Sequence, residues 1–278
     1  MDARRPNIAL LQLCSGADVQ LNLLQIEGQL RQLDASVQLV VLPENALLFA
    51  DAVAYRGWAE REGEGRLQET LATLARRYGK WLLVGSMPLY HRTDDQRLTS
   101  SCLLFDSSGQ ICARYDKIHL FDVEVADSQG HYCESQTYCG GQQVVVVDSP
   151  VGRLGLSICY DLRFPGLYQQ LRQQGAEILV VPAAFTTVTG EAHWEVLLRA
   201  RAIENQCWVV AAAQVGGHSP KRHTWGHSMV VDPWGSVVAE QPDRIAPLQA
   251  CVDVSALPIL RNQMPVLQHN RFDAQFLK

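Results

Sequence analysis

The sequence predicts a four-layer α/β fold, an α-β-β-α sandwich in which two mixed sheets pack together and helices cover both outer faces. Two observations predict this fold. Amphipathic helices alternate with short apolar strands in both halves of the chain, which is typical of sheets joined by crossover helices. Between these stretches, pairs of apolar strands flank turn sequences such as Asp232-Pro-Trp-Gly235, so antiparallel hairpins should extend the parallel strands.

The first part of the chain follows a strand–helix–strand–helix–strand pattern. Strands are predicted at 8–13, 38–42 and 81–85, and the second helix near 67–78. In the first helix, apolar residues recur at spacings of four and three, which places them on one face. These residues are Val19, Leu23, Ile26, Leu30 and Leu33.

The middle and the second part of the chain combine hairpins with the same crossover pattern. The predicted hairpins pair 102–105 with 111–114, 144–147 with 154–158, and 229–231 with 237–239. A helix near 167–173, a strand at 177–181, a helix near 192–206 and a strand at 207–212 follow the second hairpin. These strands should form a second sheet.

Composition indicates a folded, single-domain protein. Of the 278 residues, 47% are hydrophobic and 19% are charged, which excludes a disordered chain. Because the sequence has neither an internal repeat nor a Gly/Ser linker, we expect one domain over 1–278, with a C-terminal extension from about 255.

Several sequence features bear on partners and location. The longest apolar run, 179–185, is too short for a transmembrane helix. The net charge of −5 argues against nucleic acid as the main partner. Arg4 and Arg5 precede only a brief apolar stretch, so we expect no secretory signal. None of the eight cysteines forms a Cys-x-x-Cys pair, and we expect reduced thiols in the cytoplasm.

Cys159 is the candidate nucleophile. It ends the apolar strand at 154–158, and a helix is predicted to begin a few residues later. A nucleophile on such a strand-to-helix turn is accessible, and the backbone N–H groups around it can stabilise an oxyanion. A cysteine in an apolar run is more often a small buried hydrophobe. Cys159 differs because the polar residues Tyr160, Asp161 and Arg163 follow it.

Two further strand ends carry groups that the thiol needs. A cysteine with an ordinary pKa of about 8.5 requires a base or a positive neighbour. Glu44 follows a buried strand and Pro43, and Lys117 follows the second strand of a hairpin. For either residue taken alone, the favoured interpretation is structural, with Glu44 as a helix-start acid and Lys117 as a solvated loop charge.

Together, these residues lie in motifs that resemble those of the nitrilase superfamily of carbon–nitrogen hydrolases. The motifs are Pro43-Glu44-Asn45, Asp116-Lys117-Ile118-His119-Leu120 and Cys159-Tyr-Asp-Leu-Arg-Phe-Pro165, in the family's order. The resemblance covers nearly the whole chain. One departure is Gly166, because relatives often have glutamate after the Phe-Pro pair.

The resemblance implies a mechanism. Cys159 would attack an amide carbon and form a thioester, with Glu44 as general base. Lys117 and the Tyr160 backbone N–H would stabilise the oxyanion, and Glu134 would orient the lysine or the attacking water. This chemistry needs no cofactor or metal. The resemblance also implies a homodimer, in which the segment 257–267 takes part.

Within the superfamily, the segments 192–205 and 225–235 resemble the branch that contains deaminated glutathione amidase. The predicted reaction is therefore cleavage of deaminated glutathione into 2-oxoglutarate and cysteinylglycine. The alternatives are an omega-amidase acting on 2-oxoglutaramate and an N-carbamoyl amino acid hydrolase. The alternative from another class is a catalytically silent binding protein on the same fold.

Candidate substrate-binding residues follow from the carboxylates of these substrates. Arg163 could bind one carboxylate, and Thr187 and Thr189 could donate hydrogen bonds. Lys221 or Arg222 could contact a second carboxylate, although solvated loop charges are the commoner case. His218, His223 and His227 lack a cysteine or acid that would complete a zinc site, and His119 is interpreted as structural because no partner acid is evident.

Overall fold

The computed structural model describes residues 7–276. Arg4, Arg5 and the two ends of the predicted domain lie outside this range, and a single domain over 1–278 stays a prediction. None of the helices within 7–276 combines the length and hydropathy that crossing a membrane requires.

Helices and strands alternate along the chain. The strands are β1 (Ile8–Leu11), β2 (Leu39–Val41), β3 (Trp81–His91), β4 (Asp94–Phe105), β5 (Ile111–Asp116), β6 (Asp122–Glu124), β7 (His131–Cys133), β8 (Val146–Val147), β9 (Leu154–Leu156), β10 (Ile178–Val180), β11 (Trp208–Ala211), β12 (Val215–Gly217), β13 (His223–Trp225), β14 (Ser228–Val231), β15 (Val237–Gln241) and β16 (Pro247–Ala250). The α-helices are α1 (Val19–Leu30), α2 (Ala52–Gly57), α3 (Arg66–Tyr78), α4 (Pro165–Gln173), α5 (Thr187–Asn205), α6 (Leu257–Gln263) and α7 (Val266–His269).

Two six-stranded mixed sheets form the centre of the fold. The first has the order β16-β1-β2-β3-β4-β5 and the second has the order β15-β14-β11-β10-β9-β8. In each sheet, three central strands are parallel, one antiparallel strand flanks them on one side, and two flank them on the other. The two sheets therefore share one pairing pattern, although the sequence carries no visible repeat.

The hydrophobic residues divide into two clusters that define the layers. Alternating residues of β2 show the division, since Leu39 and Val41 face the second sheet whereas Val40 packs toward α1 and α3. On the other side, α4 and α5 cover the second sheet with side chains such as Tyr168 and Trp194. The order of layers is thus helix, sheet, sheet, helix, and the predicted α-β-β-α class is confirmed.

Several details differ from the sequence prediction. Helix α5 begins at Thr187 rather than near 192, because the Thr186 hydroxyl accepts a hydrogen bond from the Thr189 N–H and caps the helix. Strand β3 extends to His91, beyond the predicted 81–85, and pairs with β4 in a hairpin that was not predicted. The elements α2, β6, β7, β12, β13 and β16 were not predicted, since most are too short to show a periodic pattern.

The segment after about residue 255 packs back onto the second half of the fold. Leu257 is buried, whereas the residues from α7 onward are largely exposed. The side chain of Gln170 on α4 donates to the Ala274 carbonyl, and a Cβ at Gly166 would touch that of Ala274. Gly166, the departure from the family pattern, therefore faces the C-terminal segment.

Candidate active site

Glu44, Lys117 and Cys159 meet in one cavity at the carboxyl ends of the strands. Glu44 follows β2 and Lys117 follows β5, which run in the same direction in the first sheet, whereas Cys159 follows β9 of the second sheet. The three side chains line a cavity of about 670 Å³. Strand ends are where α/β proteins bind ligands, and residues distant in sequence become neighbours here.

The Lys117 ammonium is buried between two carboxylates. Its Nζ lies 2.8 Å from Oε1 of Glu44 and 2.8 Å from Oε2 of Glu134. Burial disfavours this charge, but Glu134 and Glu44 outweigh that effect, and the pKa of Lys117 is raised well above its usual value. Lys117 is therefore a fixed positive charge, and it cannot act as a base near neutral pH.

Glu134 is held by a second group besides the lysine. The short β6–β7 hairpin precedes it, and its Oε2 accepts a hydrogen bond from the Phe121 N–H at 2.8 Å. Burial raises the pKa of Glu134, while Lys117 opposes the shift. The structure brings Glu134 to Lys117, which is the position that the predicted orienting role requires.

The backbone at Cys159 is in the left-handed region, with φ of 46°. A non-glycine residue in this conformation is uncommon and is typical of a nucleophile on a sharp turn. The Cys159 N–H donates to the Pro182 carbonyl at 2.9 Å, which fixes the turn against the end of β10. Burial raises the pKa of the thiol, the Glu44 carboxylate raises it further, and Lys117 lowers it. The thiol is thus protonated at rest and needs a base.

A 3₁₀ helix begins at Cys159, the candidate nucleophile, and extends to Arg163. The first N–H groups of such a helix have no earlier carbonyl within the turn to bind. The Tyr160 N–H occupies this position directly after the nucleophile, where an oxyanion donor is useful.

Asp161 connects the cysteine turn with the lysine loop. It is fully buried, and it accepts from the Ile158 N–H at 2.8 Å and from the Tyr115 hydroxyl at 2.7 Å. It also accepts from the His119 N–H at 3.0 Å and from His119 Nδ1 at 2.7 Å. His119 stacks on Phe164 with ring centroids 3.7 Å apart. The partner acid of His119, which was not evident from sequence, is therefore Asp161.

Backbone contacts fix Glu44 from both sides. The Gln214 side chain donates to the Glu44 carbonyl at 3.0 Å, and the Asn45 N–H donates to the Ser86 hydroxyl at 2.8 Å. Gly85 permits this arrangement, because a Cβ there would collide with the backbone of Leu42 and Pro43. Glu44, the predicted base, is thus held on a rigid support.

The predicted substrate-binding residues divide into two groups. Arg163, Thr189 and Tyr160 line the cavity, and Arg163 Nη1 donates to Nδ1 of His193 at 3.2 Å. Thr187 is exposed at the start of α5 and is not among the cavity-lining residues. Thr186, one residue earlier, lines the cavity instead, because the helix begins there and turns the next side chain outward.

The cavity also contains residues that the sequence reasoning did not assign. The His218 ring packs against that of Phe49 at a tilt, with centroids 4.2 Å apart, and burial lowers the pKa of His218 to about 4. Its Nδ1 donates to the Ser15 carbonyl at 2.7 Å and its Nε2 accepts from the Thr224 hydroxyl at 2.7 Å, so both nitrogens are occupied. Aromatic residues from separate segments of the chain complete the wall; they are Phe49, Tyr55, Phe121, Tyr132 and Tyr138.

The chain belongs to the carbon–nitrogen hydrolase family, whose model matches residues 7–255. A protein of Yersinia enterocolitica named deaminated glutathione amidase is 58% identical over 269 residues, which cover 97% of this chain and 94% of that protein.

Solved structures show the same fold. The C. elegans NitFhit protein has a TM-score of 0.86 and 40% identity, with 98% of this chain and 66% of that longer chain covered. Saccharomyces cerevisiae Nit3, a member of branch 10 of the nitrilase superfamily, has a TM-score of 0.85 and 30% identity, with 95% and 96% covered. The predicted superfamily and the assignment as a carbon–nitrogen hydrolase are confirmed.

Proposed function

We propose that this enzyme hydrolyses the amide bond of deaminated glutathione and releases cysteinylglycine and 2-oxoglutarate, through a thioester on Cys159. The observation that carries the proposal is the buried Lys117 ammonium between Glu44 and Glu134, in the cavity that Cys159 lines. The name of the Yersinia relative supports this choice of substrate.

In the first half of the reaction, the Cys159 sulfur attacks the amide carbon while Glu44 takes the thiol proton. The carbonyl oxygen becomes an oxyanion, which the Lys117 ammonium and the Tyr160 N–H stabilise. When the carbon–nitrogen bond breaks, Glu44 returns the proton to the departing amine, which leaves as cysteinylglycine.

In the second half, water enters beside the thioester. Glu44 removes a proton from this water as it attacks the acyl carbon, and the same donors stabilise the second oxyanion. The carbon–sulfur bond then breaks, the thiolate regains a proton from Glu44, and 2-oxoglutarate leaves. Glu134 keeps the lysine in place throughout, because it accepts from Nζ in a bidentate manner at 3.0 and 2.8 Å.

Arg163 and Thr189 are proposed to bind the carboxylate and keto group of the acyl half. Arg163 is four residues after the nucleophile, and its guanidinium lies 5.2 Å from the centroid of the Phe185 ring. Within 7–276 it has no carboxylate partner at ion-pair distance, so its charge is available to the substrate.

The test is release of 2-oxoglutarate from deaminated glutathione and, in parallel, from 2-oxoglutaramate, with Cys159→Ala as control. We expect turnover that depends on Cys159, with a higher kcat/KM for deaminated glutathione than for 2-oxoglutaramate. A preference for 2-oxoglutaramate would make the protein an omega-amidase, and turnover of neither would overturn the substrate assignment. N-carbamoyl amino acids serve as the third substrate class in the same assay.

We also propose that the protein is located in the cytoplasm, where the eight unpaired thiols would stay reduced.

We further propose that the protein is a homodimer. Helix α5 exposes Val196 and Ile203, and Trp234 of the β14–β15 turn is 67% exposed. An apolar surface of this kind favours association. Helix α7 packs against α5 and adds Val266 and Leu267 from the predicted segment. Light scattering should give a dimer for the wild type and a monomer for Val196→Glu.

A further inference from the structure

The cavity contains a second arginine that lacks an anionic partner. Arg222 lies in the turn between β12 and β13, and its Nε is buried without a hydrogen-bond acceptor among residues 7–276. A buried donor without an acceptor is costly, so the position calls for an explanation. Lys221, the neighbouring cation, is exposed and does not line the cavity.

Two aromatic rings fix the Arg222 guanidinium. Its Cζ lies 4.5 Å from the centroid of the Tyr132 ring and 5.3 Å from that of Phe49. Stacked in this way, the planar group keeps its charge and its N–H donors, which match a carboxylate in a bidentate manner. The guanidinium is thus oriented before a ligand arrives.

The backbone that carries Arg222 is held as well. The His218 N–H donates to the Arg222 carbonyl at 2.9 Å, and the Arg222 N–H donates to the Ser219 hydroxyl at 3.2 Å. The Ser128 hydroxyl donates to the Lys221 carbonyl at 2.7 Å. These contacts tie the turn to the β6–β7 region and to the hairpin itself.

Nearby acids do not neutralise this arginine. Asp127 is the acid whose charge interacts with Arg222, but its carboxylate accepts from the Tyr132 hydroxyl at 2.7 Å and the Gly130 N–H at 2.9 Å. Asp51, which lines the cavity, caps helix α2 by accepting from the Ala54 N–H. Within 7–276, neither acid lies within 4.0 Å of the guanidinium nitrogens.

Arg163 and Arg222 contact different aromatic residues, so one cavity offers two separate carboxylate sites. Arg163 shares the 3₁₀ turn of the nucleophile, which suits the short acyl half of the substrate. We infer that Arg222 binds the carboxylate of the longer, departing amine half and makes the enzyme selective for amides whose amine half is anionic. This inference rests on the proposed function.

The test compares deaminated glutathione with its C-terminal carboxamide, which lacks only the second carboxylate. Wild-type enzyme should prefer deaminated glutathione (the acid) to the carboxamide by about 10- to 100-fold in kcat/KM, which is the size typical of a hydrogen bond to a charged group. The difference should lie mainly in KM. Arg222→Gln should bring that ratio to within about threefold of one. Lys221→Gln, the matched control, should keep the wild-type ratio.

A binding measurement separates this inference from the proposed function. Calorimetry with Cys159→Ala and with Cys159→Ala/Arg222→Gln reports the acid-over-carboxamide preference without turnover. If the acid is hydrolysed but wild-type enzyme treats acid and carboxamide alike, or if Arg222→Gln keeps the preference, the role of Arg222 is overturned alone. If deaminated glutathione is neither bound nor hydrolysed, both the function and the inference are overturned.

Discussion

The Nζ of Lys117 lies 2.8 Å from Oε1 of Glu44, and both side chains are almost entirely buried. In the proposed mechanism, this pair joins the oxyanion donor to the general base, and the contact lets each group fix the position of the other. Burial removes the Lys117 ammonium from water, and Glu134 provides a second carboxylate that offsets this cost. This arrangement supports the proposal that Lys117 stabilises a tetrahedral intermediate beside Cys159.

Replacement of the lysine tests its electrostatic role. Lys117→Met should lower kcat/KM by about 100- to 1,000-fold, since an oxyanion donor is lost. The control is Lys80→Met, which removes a buried ammonium that donates to the Asp34 and Val37 carbonyls away from the cavity. Lys80→Met should lower the melting temperature and retain kcat/KM within about twofold. Equal activity losses in both variants would contradict a specific role for Lys117.

Asp161 should act as a positioning residue. Asp161→Asn replaces one acceptor oxygen by an amide NH₂ group, which would face N–H donors that now bind the carboxylate. This mismatch should lower the free energy of unfolding by about 3 kcal/mol. Because the cysteine turn and the lysine loop are joined through Asp161, kcat should fall more than KM rises. Asp106→Asn, in an exposed hairpin turn where the carboxylate also accepts several N–H groups, is the control and should keep kcat. A stable Asp161→Asn enzyme with normal kcat would refute the role.

The pH profile should have an acid limb that reflects Glu134. Burial raises its pKa above the usual value of a glutamate, so it is ionised above that pKa and neutral below it. As the pH falls, protonation removes one of the two charges that hold Lys117, and kcat/KM should decline before surface glutamates titrate. Circular dichroism at each pH controls for unfolding. An acid limb at or below the usual pKa of a glutamate would contradict this assignment.

Arg163→Ala should raise KM for anionic amides by about tenfold or more, because a charge-assisted contact to the substrate is lost. Arg153→Ala removes a surface arginine that pairs with Asp148, and it should leave KM unchanged. Steady-state kinetics on deaminated glutathione and 2-oxoglutaramate measures both effects. An unchanged KM in Arg163→Ala would eliminate its carboxylate role.

The strand-end residues could be predicted because each is encoded locally, by an apolar strand followed by a polar residue. Glu44, Lys117 and Cys159 all follow this pattern, and the cavity unites them. The aromatic wall could not be predicted in the same way, since Phe49 and Tyr132 come from separate segments without a common sequence signal. For the cation, the sequence named Lys221 and Arg222 together and could not show that Arg222 alone lines the cavity. Only the folded chain brings them together.

Thr187 shows a different limit of sequence reasoning. The polar run after Phe185 indicated hydroxyls near the cavity, but the helix start decides which of them face it. Thr186 caps α5 and lines the cavity, whereas Thr187 is exposed. The helix was predicted to begin near 192, so the sequence could not show which hydroxyl faces the cavity.

The most direct test of the mechanism is detection of the thioester. Wild-type enzyme is mixed with deaminated glutathione, quenched in acid within the first turnover, digested and analysed by mass spectrometry. We expect a 2-oxoglutaryl group on the peptide that contains Cys159 and on none of the other seven cysteines. The Cys159→Ala variant should carry no such group. Full turnover by Cys159→Ala, or an acyl group on a different cysteine, would contradict Cys159 as the nucleophile.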